Sequence, residues 1–115
     1  MKELIESVKK LIEDETRRCD IVSGYTMNSN HETFAYILEE VQESAIEMDG
    51  VQKELNEFWN HISRDTGYGH TNLETIQRRA ILGACELIQV AQLARKGMLT
   101  WEGIEKNANK QQTEG

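Results

Sequence analysis

Proline is absent from all 115 residues, and no stretch sustains the strict alternation of apolar and polar side chains that marks a half-buried strand. Both absences point to an all-α fold, since nothing in the chain interrupts helices except a few glycines. Cysteine is scarce. Cys19 and Cys85 fall in different predicted helices with no CxxC or Cys/His spacing, which excludes a zinc knuckle and reads as two reduced, buried thiols. Basic residues are outnumbered 13 to 20 by acidic ones, giving a formal net charge of −7 and excluding a surface built to grip polymeric DNA or RNA. Long apolar runs are missing too. No stretch reaches the ~18 residues needed to cross a membrane, and the start, Met1-Lys-Glu-Leu-Ile-Glu, has no apolar leader, so the expected location is the cytoplasm.

What is present is helical periodicity. Leu4, Ile5, Val8, Leu11 and Ile12 make one face of a helix from Lys2 to about Cys19, whose other face offers Glu6–Lys10, Glu13–Arg17 and Asp14–Arg18 as acid-then-base pairs one turn apart. The polar stretch from Asp20 to Asn30 is a loop. Ser29-x-x-Glu32 is a capping box that starts a second helix, with Phe34, Ile37, Leu38, Val41, Ala45 and Met48 as its apolar stripe and Ala35 and Ile46 off that stripe, a hint of a partner subunit. Asp49-Gly50 predicts a helix end or kink, after which Val51, Leu55, Phe58 and Ile62 mark a third helix to about Arg64. Asp65 to Thr71, with two glycines, is the clearest loop and lacks the phosphate-binding P-loop pattern. Thr71-x-x-Glu74 is a second capping box, and the fourth helix runs from there to a stop at Gly97; Trp101 and Ile104 dock a short turn, and 105–115 reads as a flexible tail behind a single domain, 1–104.

Two helices carry the polar groups of interest. Glu39, Glu40 and Glu43 lie within five residues of the second helix, where positions three and four apart share a face. Ala80 to Ala94 is apolar at eleven of fifteen positions, so the fourth helix reads as buried nearly all round, yet Glu86 and Gln89 interrupt it on one face. A carboxylate there requires a partner. Either Glu86 and Gln89 form a structural pair with Arg78, Arg79 or a basic residue of the first helix, or they join Glu40 and Glu43 around a cation. Such an apolar helix in so short a chain also needs more cover than three neighbours supply, which predicts a homo-oligomer, a dimer by default. His31, His61 and His70 have no partner at metal-ligand spacing, and Trp59 reads as a core or interface aromatic.

The run Phe34-Ala-Tyr-Ile-Leu-Glu-Glu-Val-Gln-Glu43 followed by Glu86-Leu-Ile-Gln-Val-Ala91 resembles the MazG-like, all-α nucleoside triphosphate pyrophosphohydrolases, especially small phage-associated members, over roughly residues 30 to 96. The resemblance implies an enzyme that binds magnesium, with manganese as a substitute, and hydrolyses a nucleoside triphosphate to the monophosphate and pyrophosphate. Glu40 and Glu43 match the family's ExxE pair, and Glu86 matches the first position of its ExxD pair. Gln89 stands where the family has aspartate, a neutral ligand for a charged one, and Glu39 is the adjacent acid that would orient the attacking water. The 42 residues between Glu43 and Glu86 are a longer connection than compact members have. Loss of one charge at Gln89 leaves a rival open, a helical oligomeric interaction protein that keeps the fold without the chemistry. A ferritin-like di-iron centre is excluded, because none of the three histidines follows a glutamate at the Glu-x-x-His spacing.

Overall fold

In a computed structural model of the chain, the backbone is described for residues 1–24, 26–67 and 69–114, and side chains as far as Gly103 apart from Ser23, Tyr25 and Tyr68. The described residues form three helices, α1 (Lys2–Ser23), α2 (Asn30–Arg64) and α3 (His70–Glu114), and no strand. The fold is all-α. The expectation of about four helices is corrected to three, because neither glycine read as punctuation ends a helix. A β-carbon at Gly50 would overlap Cδ, Nε and Cζ of Arg79, and one at Gly97 would sit 2.9 Å from the Thr33 methyl. A mid-helix glycine costs about 1 kcal/mol relative to alanine. Here each glycine is where a neighbouring side chain presses on the helix backbone, so packing offsets that cost.

The helix ends follow local chemistry in part. Ser29 Oγ accepts the Glu32 N–H at 3.0 Å, the first half of the capping box. At the other predicted box the helix starts earlier, at His70, and Thr71 lies inside it. The turn between α2 and α3 is closed by residues with positive φ, Asp65 at 51°, Gly67 at 136° and Gly69 at 74°, and the Phe58 ring occupies the space a Gly69 side chain would need. On α1 the acid–base pairs form three residues apart rather than four, as Glu6–Lys9, Asp14–Arg17 and Glu15–Arg18. The backbone of the expected tail is helical as far as Glu114. Among the described residues no helix is long and apolar enough to cross a membrane.

The contacts divide the chain into two compact units, Met1–Leu38 with Ile88–Gly115, and Glu39–Leu87. The first joins α1, the start of α2 and the later part of α3. Its interior is polar. Gln92, Lys96 and Thr100, on one face of α3, are buried, as is Thr16 on α1, whose hydroxyl donates to the Ile12 carbonyl. Met27, in the loop, is the one buried hydrophobic side chain among the described residues, and its N–H donates to Thr100 Oγ1 at 3.1 Å. Glu15 accepts from Arg18 and from Gln89 Nε2.

The second unit is a helical hairpin, α2 from Glu39 to Arg64 and α3 from His70 to Leu87, and Asn72 is its only buried described residue. The half-buried α2 positions of this unit are Glu40, Ser44, Glu47, Gly50, Val51, Glu54, Phe58 and His61, a seam that is mostly polar. Of the apolar positions read from the sequence, Val51 and Phe58 lie in this seam and the others in this unit face away. Val41, Met48, Leu55 and Ile62 are exposed, and so are Ile81, Leu82 and Leu87 on the helix expected to be buried all round. That expectation is overturned within the single chain, because two helices have only one mutual seam and this seam is taken by glutamates and their partners.

Candidate metal centre

Seven residues advance an α-helix by almost two turns, so positions seven apart stack on one face. Asn72, Arg79 and Glu86 stand at that interval along α3, and Glu54, Glu47 and Glu40 along α2 in the opposite sense. The hairpin closes as three polar layers. Nearest the turn, Asn72 Nδ2 donates to Glu54 Oε2 at 2.9 Å and to Glu57 Oε2 at 3.3 Å. In the middle, Arg79 Nη1 donates to Glu47 Oε2 at 3.2 Å, the side chain lying over Gly50. The third layer sets Glu86 against Glu40 and Glu43, one carboxylate oxygen of each lying within 4.8 Å of the other two.

Two layers meet acid with a donor; the third meets acid with acid. The electrostatic consequence is a proton held more tightly than by an isolated carboxyl. Glu86 is raised above the ordinary carboxylate value by Glu40 first, then by burial, with Glu47 adding to it, and Glu43 is raised by Glu86. A divalent cation satisfies such a group as a proton does, with more charge. With ~2.1 Å bonds, adjacent oxygens on a magnesium-sized ion lie ~3.0 Å apart and opposite ones ~4.2 Å. Three carboxylate oxygens within 4.8 Å of one another can reach one such ion by side-chain rotations of about an ångström.

The sequence-derived site residues fall as follows. Glu40, Glu43 and Glu86 come together. Glu39 is exposed and outside their group. Gln89 belongs to the other compact unit, where its amide donates to Glu15 and its Oε1 lies 4.0 Å from Cys19 Sγ. The alternative pairing of Glu86 with Arg79 is not formed, since Arg79 is taken by Glu47. His61 Nδ1 lies 3.0 Å from Thr66 Oγ1 and His70 Nδ1 lies 3.2 Å from a Glu74 carboxylate oxygen, while His31 is exposed. Cys19 is half-buried, with its thiol pKa raised by burial first and by Glu15 next; Cys85 is exposed, which corrects its reading as a buried hydrophobe. Trp59 is exposed as well. Sequence reasoning passed over Glu47, Glu54 and Asn72 and offered Arg79 only to Glu86, although the seven-residue spacing that links all four to Glu40 and Glu86 was there to be found.

No family model, no curated protein and no solved structure matches the chain. The definition of the site therefore rests on its geometry, an all-α hairpin that ends in three converging carboxylates.

Proposed function

We propose that this chain is a magnesium-dependent nucleoside triphosphate pyrophosphohydrolase of the MazG-like kind, releasing pyrophosphate and the nucleoside monophosphate, with Glu40, Glu43 and Glu86 as the metal ligands. The observation that carries the reading is the third layer. In a register that elsewhere pairs each inward glutamate with an amide or a guanidinium, Glu86 supplies a third carboxylate. An unpaired cluster of like charge is unfavourable unless a cation joins it. A bound divalent ion would supply neutralisation of the phosphate charge and an activated water at neutral pH. By the resemblance, Glu39, one position before Glu40, would orient the attacking water. Gln89, held by Glu15, contributes no charge.

The test is release of pyrophosphate from a panel of ribo- and deoxyribonucleoside triphosphates with Mg²⁺ or Mn²⁺. Turnover that disappears in Glu86→Gln supports the reading. Metal binding without turnover on any nucleotide favours the second reading, a non-catalytic helical interaction protein, for which the neutral Gln89 speaks.

A further inference from the structure

Ala94, Gly97, Met98 and Trp101 share one side of α3, three and four residues apart, and with the first turns of α2 they border an open cavity of about 470 Å³, inside the ~300–1,000 Å³ range of small-ligand sites. Both walls belong to the first compact unit. Gly97 brings them together, because its missing side chain leaves room for the Thr33 methyl, 2.9 Å from where a β-carbon would stand. Trp101 is half-buried, and its Nε1 lies out of solvent with no hydrogen-bond acceptor, so the open part of the indole is carbon surface. Glu102, beside it, is exposed and makes no salt bridge with any described residue. Among the described residues that line the cavity, it alone carries a charge.

We propose that this cavity binds a small organic ammonium ion, its cationic head held by the Trp101 ring and the Glu102 carboxylate and its apolar body lying along Met98 and Ile37. The face of an indole attracts a cation more strongly than any other aromatic side chain does. An unpaired carboxylate on the same wall adds a charge attraction that a neutral ligand does not receive. The Met98 thioether and the Ile37 side chain suit the methyl or methylene groups of such an ion. Other occupants fit worse. An anion would meet the Glu102 charge, and a neutral apolar molecule would take water from that carboxylate without replacing it. Nor is Glu102 needed as a counter-charge to the N-terminus of α2, because Ser29 caps the first turn and Glu32 supplies its acid. The inference is independent of the metal reading, whose three ligands lie in the other compact unit.

Titration of the full chain with choline, followed by NMR of its two tryptophan indole N–H signals, tests it, with Trp59→Phe assigning the signals. The expected result is a saturable shift of the Trp101 signal with a Kd of about 10 mM or below, and no saturable shift of Trp59. The uncharged carbon isostere of choline, with a tert-butyl group in place of the trimethylammonium, is expected to bind at least ~five-fold more weakly, having neither the cation–ring nor the carboxylate attraction. Glu102→Gln, a change to an exposed side chain, should weaken choline roughly three- to five-fold and leave the isostere unchanged. The isostere arm uses the unaltered protein and decides the matter even where a variant does not fold. No saturable shift of Trp101 by ~50 mM choline, an isostere that binds as tightly as choline, or a Glu102→Gln variant that binds choline as tightly as wild type overturns the inference.

Discussion

Replacing Glu86 by glutamine is expected to stabilise the metal-free protein and to abolish its stabilisation by metal. At 4.8 Å, the limit of the carboxylate spacing, two unit charges repel by about 3 kcal/mol at an effective dielectric of ~20. Glu40 and Glu86 are both partly solvated, and water reduces the Glu40–Glu86 repulsion to about 1 kcal/mol. Glutamine removes that repulsion and offers Glu40 an amide donor, as Asn72 does for Glu54 one end of the hairpin away. For a chain of this size about 1 kcal/mol moves the melting temperature by roughly 4 °C. The assay is thermal unfolding by circular dichroism at fixed protein concentration, in EDTA and in millimolar Mn²⁺. Wild type is expected to gain stability in Mn²⁺ by mass action and Glu86→Gln to gain none. The pH dependence has a definite sign. Because Glu86 and Glu43 are raised in the folded state, the folded chain holds more protons than the unfolded one just above the ordinary carboxylate value of 4.5. Stability in EDTA therefore falls as pH rises through that window, and the fall is smaller in Glu86→Gln. A variant that melts lower than wild type in EDTA, or that Mn²⁺ stabilises as much as wild type, refutes the like-charge argument.

Gly50→Ala should push the Arg79 side chain off Glu47, and the ~1 kcal/mol that alanine gains in a helix should offset that loss, so urea unfolding is expected to change by less than about 1 kcal/mol; in an Arg79→Ala background the same substitution should stabilise by about 1 kcal/mol. Asn72→Ala leaves Glu54 and Glu57 without their shared donor and is expected to cost about 1–3 kcal/mol in the same assay. Glu15 has the opposite pH behaviour to Glu86. Its carboxyl is lowered to about 2 by Arg18 first and by Gln89 after burial is overcome, so its contribution, about 1 kcal/mol given the solvent at Arg18, is present above pH 4.5 and lost as pH falls towards 2. Acid titration of the melting temperature should show this loss in wild type and not in Glu15→Gln.

Much of this was legible in the residues. The absence of proline and the three- and four-residue apolar spacing specify helices, Ser29-x-x-Glu32 marks the start of α2, and a glutamate interrupting an apolar run demands a partner wherever the helix lies. The glycines misled for a physical reason. Gly50 and Gly97 have the same local propensity whether they end a helix or admit a neighbour's side chain, and only the approach of Arg79 and Thr33 distinguishes the two. Ion pairs on α1 misled similarly, since three- and four-residue spacings are both within reach and side-chain rotamers choose between them.

Periodicity groups residues onto faces but does not state which face the neighbouring helix takes. On α2 an apolar stripe through Met48 and an acidic stripe through Glu47 lie side by side, and ordinary burial energetics would turn the apolar one inward. The hairpin turns the acidic one inward, because Asn72 and Arg79 on α3 meet Glu54 and Glu47 at a shared seven-residue interval and carry Glu86 to Glu40 and Glu43 in the same register. Helix content and the identity of the acidic residues belong to the sequence alone. That three of those acids meet, and that the apolar face is left outward, was decided by the pairing of the two helices, a matter of long-range geometry that no window of sequence contains.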